Sequence, residues 1–408
     1  MRKQPNAACR CVSRRPPWLT SMLVAFLAAA APGGLLAADK SGGVDADRWQ
    51  FTVEAPRPPR IDKGVSKPQP PAISYLWLPE NLKSVRGLLV GGRTLLEKRI
   101  CQDPQIRSAL SEAGMGAVYF DPALDSLFDY ANRGSGAAME KALADLAARS
   151  GHPELQFAPM LTVGHSTGGI FCRNVAYWKP ERVIGVLHVM SGNLQDHIPD
   201  KSRTLAGVPF LAINGEFEEY GPAGGDLKRG LRSEYSLDAT DKTKQNQTQW
   251  LIVRQQILDR RRKNPDNLMA LIVHRGKGHT DWDDQMSALA ARFVRSAAAA
   301  RIPKGEPDGK AVVQCRPLKA QDGWLADADI KDPKFPPAAY QQYRGERPLA
   351  FWFPDEAMAR AVSEYHGAKW DVPDPTASQP PEKRYAPPPM LKDEVDARSP
   401  QTRPGGGQ

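Results

Sequence analysis

Leu161-Thr162-Val163-Gly164-His165-Ser166-Thr167-Gly168-Gly169-Ile170 is the stretch that decides how this chain folds. Phe157, Met160, Leu161 and Val163 form the apolar run of a buried strand, and Ile170, Phe171, Cys172, Val175 and Ala176 recur at helical spacing beyond it. Between them the chain must turn sharply, with Ser166 at the corner. Glycines two before and two after the serine, Gly164 and Gly168, remove Cβ atoms that would collide across such a turn. The corner also leaves the N–H of Thr167 at a helix start, where backbone and helix dipole favour a developing negative charge.

Working back from the corner, strand and helix signals alternate. Trp49 to Val53 reads as an edge strand within a Pro-rich segment spanning 39–72, and Ile73 to Leu78 as the first core strand. Gly87 to Val90 is a continuous apolar run, as expected of a strand covered on both faces. Gly91-Gly92-Arg93-Thr94 follows it, and the N–H of either Gly92 or Arg93 is placed to give a second donor beside Thr167. Asp103-Pro104 has the form of an N-cap and N1 proline opening a helix that stops at Gly114. A strand at Gly116 to Phe120 and an amphipathic helix from Ser135 to Arg149 lead into the quoted stretch.

Beyond Ser166 the alternation continues with strands at Val183 to Met190, Val208 to Ile213 and Leu268 to Val273, and a closing helix from Asp283 to Ala300. The expected fold class is α/β, a mostly parallel central sheet with helices on both faces, occupying 73–300. Glu216, Glu218 and Glu219 cluster where the strand ending at Ile213 exits, and His279 lies in the loop after the last strand. Sites in such sheets form at the carboxyl ends of the strands. The polar insertion 220–266 holds one helix, from about Gln247 to Arg262, reads as a lid, and has Arg260 to Lys263 as a solvated helix end. Residues 301–369 break the alternation and read as an aromatic-rich C-terminal extension packed on the core, and 370–408 as a disordered tail.

A serine hydroxyl becomes a nucleophile when an imidazole takes its proton, and the imidazole needs a carboxylate to fix its tautomer. This chain supplies them in the order Ser166, acid, His279, on a Gly-His-Ser-Thr-Gly corner, and over 73–300 it resembles the α/β-hydrolase superfamily. The resemblance implies Ser166 as nucleophile, His279 as general acid/base, and oxyanion donors at Thr167 and at Gly92 or Arg93. It selects Glu218, three residues beyond Gly215, as the acid. Glu216, Glu219 and Asp196, which follows the preceding strand, stay as alternatives. The usual leading histidine of the family's oxyanion motif is replaced by Gly91. The implied activity is cleavage of a carboxylic ester through an acyl-enzyme, on a small-molecule or polymer-borne substrate, with no cofactor. A peptidase or lactonase would use the same groups; a binding protein on the same fold would be expected to lack one.

Composition narrows the setting. The 408 residues are 41% hydrophobic and 25% charged, enough for one large domain with appendages. Residues 1–38 carry five basic residues and no acid ahead of an apolar run from Trp18 to Ala31, the layout of a secretory signal, so a secreted or periplasmic location is expected. Pro32-Gly33-Gly34 cuts that run too short for a stable membrane anchor. Without the leader, the formal +9 falls to 50 basic against 46 acidic residues, and no basic stripe interleaved with aromatics argues for nucleic acid. No Cys/His cluster has metal-ligand spacing. Cys101, Cys172 and Cys315 remain, with a Cys101 to Cys315 bridge open and Cys172 read as packing.

Overall fold

The computed structural model describes residues 49–62, 65–192, 194, 197–216, 218, 249–330 and 332–367. The expected leader and tail, Asp196, Glu219 and 220–248 lie outside the described residues. The main sheet comprises β1 (Phe51–Ala55), β4 (Ala72–Trp77), β5 (Gly87–Gly91), β6 (Met115–Asp121), β7 (Met160–His165), β8 (Val183–Val189), β9 (Phe210–Gly215) and β10 (Met269–His274). Their spatial order is β1-β4-β6-β5-β7-β8-β9-β10; β2 (Arg60–Asp62) and β3 (Val65–Lys67) pair separately as a ribbon. From β6 to β10 every neighbouring pair is parallel, while β4 runs antiparallel to both β1 and β6.

Helices cover both faces, and the alternation of side chains along each strand sorts the core. On β5, Leu88 and Val90 pack into one cluster with Leu143 of α3 (Ser135–Ser150) and Phe171 of α4 (Gly168–Trp178). Leu89 points the other way, into a cluster with Ile100 of α1 (Leu95–Gln102) and Ile106 of α2 (Pro104–Glu112). Each fully buried Leu, Val or Phe contributes about 1.5–3 kcal/mol relative to exposure. A helix cap is worth about 1 kcal/mol, so the apolar faces set the fold and the caps tune it. Asp103 accepts from the N–H groups of Gln105 and Ile106 ahead of Pro104, and the helix ends at Gly114 with φ +68°. The helix α1 is an addition to the elements expected from the sequence: Thr94 caps it, accepting from the Glu97 N–H.

The helix α5 (Gln249–Lys263) buries Trp250, Val253, Ile257 and Leu258 against the core cluster. It is therefore a covering helix, and the lid reading is confined to 220–248, outside the described residues. Its basic end is also only partly solvated. Arg261 is buried, donating to the carbonyls of Ala350 and Asn267, and Arg260 reaches the Tyr177 hydroxyl and the Leu194 carbonyl. Arg262 and Lys263 are exposed. The three remaining thiols are all free and buried, so no Cys101 to Cys315 bridge forms. Cys172 lies on the buried face of α4, its Sγ 3.4 Å from the Gly169 carbonyl.

After α6 (Asp284–Arg301), strands β11 (Trp324–Asp327), β12 (Ala338–Ala339) and β13 (Ala350–Phe353) form a small antiparallel sheet, followed by α7 (Glu356–Gly367). Phe351, Phe353, Met358 and Val362 join the main core, while Trp352 is buried beside Leu268 and Leu325. The strand β10 is the last of the large sheet, and its Val273 N–H donates to Nε2 of His366 at 3.2 Å. That bond requires a neutral imidazole, and burial holds His366 at about 3, against an ordinary 6.5.

The sign of the linkage follows. Below about pH 6.5 the unfolded chain takes up a proton that the folded His366 refuses until about pH 3, so stability falls as pH drops through that window. Burial lowers His188 in the same direction. Thermal melts from about pH 7.5 to 5 should show a falling midpoint. His366→Gln should flatten that slope while lowering the midpoint at neutral pH, because it replaces the matched acceptor of a buried N–H, a loss of about 1–3 kcal/mol. An unchanged slope would remove His366 from the account.

Candidate active site

The carboxyl ends of β5, β7, β9 and β10 bring the candidate residues to one rim of the sheet. Register aligns them: Val90 lies opposite Thr162, Val189 opposite His165, and His274 opposite Gly215. Ser166 leaves β7 at φ +56°, a left-handed conformation that a side chain adopts at an energetic cost of about 1–3 kcal/mol. The surroundings enforce it. A Cβ on Gly164 would lie 2.1 Å from the Gly168 carbonyl oxygen, so strand and helix approach closer than any other residue permits. The Ser166 N–H donates to the Val189 carbonyl at 3.1 Å, and its own carbonyl accepts from the Gly169 N–H at 3.0 Å and from the Ser191 hydroxyl.

His279 Nε2 lies 2.9 Å from Ser166 Oγ. Burial lowers the His279 imidazole to about 4, with the neighbouring His165 acting in the same direction. At neutral pH it is therefore uncharged, and with Nε2 accepting the serine hydroxyl its hydrogen resides on Nδ1. The loop carrying it is held from two sides. His165 Nε2 lies 2.8 Å from the His279 carbonyl oxygen, which can only accept, so His165 donates there. His165 Nδ1 then accepts from Thr94 Oγ1 at 3.2 Å. Asp281 accepts the Gly278 N–H at 2.7 Å and so turns this loop, whereas Asp283 caps α6 and pairs with His274 at 3.0 Å.

The carboxylates after β9 divide. Glu218 is buried, and its Oε1 accepts from the Gly215 N–H at 2.9 Å and the Asn214 amide at 3.0 Å. Gly215 itself backs onto the His279 loop, since a Cβ there would lie 2.7 Å from the carbonyl oxygens of Lys277 and Gly278. Glu216 turns instead to the Gly276 N–H at 2.8 Å, with Arg275 at 3.8 Å, bracing the end of β10. Glu219 and Asp196 lie outside the described residues. Of the other histidines, His188 is buried in β8 against Phe210, and His197 is exposed and accepts from Asn174 through its carbonyl.

The donors separate as well. Gly92 gives its N–H to Oε2 of Glu97 at 2.9 Å, which removes Gly92 from the two positions read as a second oxyanion donor. Among the described residues the N–H of Thr167 has no hydrogen-bond acceptor, and Thr167 stands exposed at the start of α4, whereas the Arg93 N–H faces the Tyr119 hydroxyl. Glu97 is the residue the sequence reading missed. It sits on the buried face of α1, and its Oε1 accepts from the His165 N–H at 2.8 Å. Among the described residues no group of three or more His, Cys, Asp or Glu could hold a metal, and no helix is long and apolar enough to cross a membrane.

No family model and no curated protein matches the chain. Among solved structures it is similar to LpqC, a poly(3-hydroxybutyrate) depolymerase from Bordetella parapertussis, at 16% identity and TM-score 0.35 over 65% of this chain and 98% of that one. It is also similar to the siderophore hydrolase EstA from Aspergillus nidulans, at 12% identity and TM-score 0.38 over 60% and 93%. Est1E from Butyrivibrio proteoclasticus gives 14% identity and TM-score 0.31 over 60% and 96%. Likenesses this slight carry no weight on activity, and the fold assignment rests on the strand order and the serine corner. With its parallel sheet, its left-handed serine between strand and helix, and its histidine after the last strand, the chain has the α/β-hydrolase fold.

Proposed function

We propose that the protein is a secreted serine hydrolase cleaving carboxylic esters through an acyl-enzyme. The observation that carries this reading is the 2.9 Å approach of a neutral imidazole, His279, to the hydroxyl of a serine held at φ +56°. The Ser166 proton passes to His279 Nε2 as Oγ attacks the ester carbonyl, and the resulting oxyanion is received by the N–H groups of Thr167 and Arg93. The imidazolium then gives its proton to the departing alcohol, and water repeats the sequence to release the acid. Glu218 is assigned the role of fixing the His279 tautomer, supported by its burial and by its place beside the His279 loop. Leu95, 81% exposed directly after Thr94, gives the rim an apolar side chain suited to an acyl group. Export, read from the first 38 residues, favours environmental or polymer-borne esters as substrates.

Three outcomes are expected. A fluorophosphonate should label wild-type protein at Ser166 and leave Ser166→Ala unlabelled; an unlabelled folded wild type would favour a binding protein on this fold. On p-nitrophenyl esters graded by acyl length, Ser166→Ala and His279→Ala should each lower kcat by at least about 10⁴-fold, and the double variant little further, because the two act as one unit. Turnover of peptides or lactones in preference to every ester would redirect the substrate class.

The ionisation of His279 should appear as the lowest acid limb of kcat/KM, below the 6.5 of a free imidazole, because burial disfavours its charged form. A last acid step at or above 6.5 would mean that the imidazole stands in water. Mass spectrometry of exported material should find a mature N-terminus near Asp39.

A further inference from the structure

Glu97 is buried, and yet it touches both segments that carry the proposed oxyanion donors. Its Oε2 takes the N–H of Gly92, at the exit of β5, and its Oε1 takes the N–H of His165, the residue before the nucleophile. A Cβ on Gly168 would fall 1.7 Å from Oε1, so the second glycine of the Gly-X-Ser-X-Gly corner is required by this carboxylate. The same turn of α1 begins at Thr94, whose hydroxyl holds His165 and through it the His279 carbonyl. Two short loops that meet nowhere in sequence are thus tied through one side chain.

We propose that Glu97 is a positioning residue whose bidentate carboxylate fixes the loop bearing the Arg93 N–H against the Ser166 corner, so that the Arg93 and Thr167 donors converge on one oxyanion. This rests on the reading of Ser166 as nucleophile. An ionised carboxylate accepts on both oxygens, whereas a protonated one must hold a hydrogen against one of two N–H donors. The tie is therefore charge-dependent. The groups facing it are Arg93 on the adjoining loop, Cys101 on α1, Tyr119 from β6, His165 from β7 and Cys172 from α4. Arg93 is the one cation among them; the Tyr119 hydroxyl donates to the Thr94 carbonyl at 2.9 Å, and burial disfavours charge on both thiols and on His165. Burial raises the Glu97 carboxyl to about 7, against the pull of its N–H donors, which places the loss of the tie within an ordinary assay range.

The test compares full-length wild type, Glu97→Gln, Glu97→Asp and Ser166→Ala by p-nitrophenyl acetate kinetics from about pH 5 to 9, fluorophosphonate labelling rate, near-UV circular dichroism and thermal melting. Glu97→Gln keeps the shape but turns an amide N–H₂ toward one donor. It should lower kcat and the labelling rate about 10- to 100-fold with KM within about threefold, in protein that retains the wild-type near-UV spectrum. Wild type should show an activity step near pH 7, above the limb of His279; this step should vanish in Glu97→Gln and persist at reduced kcat in Glu97→Asp, which also serves if Glu97→Gln fails to fold. Wild-type kcat and pH profile in Glu97→Gln, or losses that only track the folded fraction, would overturn the role of Glu97 while leaving Ser166 labelled. A wild type that takes no label would overturn the nucleophile reading and this proposal together.

Discussion

The close approach of β7 to α4 across Ser166 is the constraint from which the site follows. Where a Cβ at Gly164 would meet the Gly168 carbonyl oxygen at 2.1 Å, the chain has no room for a relaxed turn, and the serine is left in a left-handed conformation with its hydroxyl 2.9 Å from His279 Nε2. Such strain persists only when its surroundings over-determine it. Here they do: the Val189 carbonyl holds the Ser166 N–H, the Gly169 N–H and Ser191 hydroxyl hold its carbonyl, and apolar side chains bury both flanks. The geometry of the corner is thus set by its own hydrogen bonds and packing.

Around that corner the polar groups are arranged by what each can still accept or donate. The backbone N–H groups of Gly92 and His165 meet a buried carboxylate and serve architecture, whereas among the described residues that of Thr167 meets no acceptor. The same sorting separates the acids after β9. Glu216 is engaged with Gly276 and Arg275, and Glu218 turns back on Gly215 beside the histidine loop. The two histidines before and after the corner also differ in kind, since His165 spends its ring on positioning and His279 presents its ring to the serine.

Much of this was readable from residues alone. Continuous apolar runs such as Gly87 to Val90, and the glycine spacing around Ser166, report burial and steric limits directly, so the sheet, its crossover helices and the serine corner were legible. The buried acid was not. Glu97 stands among Leu96, Ile100 and Cys101 at helical spacing, but a carboxylate is ordinarily assigned to the wet side of so short a helix, and its two partners lie in other segments. Nor can residue type separate Gly92 from Arg93, or Glu216 from Glu218, because identical groups differ there only in which neighbour reaches them first. Arg261 hid for the same reason: four basic residues in a row look solvated until the C-terminal segment supplies carbonyls for one of them.

That C-terminal segment also bears on how the protein can be divided. The last strand of the large sheet would otherwise offer an open ladder to any passing chain; His366 takes the N–H of Val273 on that strand, and the small sheet packs beside it through Trp352 and Leu268. A chain shortened to the α/β core near residue 300 would keep the serine, the histidine and the carboxylates, yet bare a templating flank along β10. Insolubility of such a fragment would report a lost shield against self-association rather than a damaged centre.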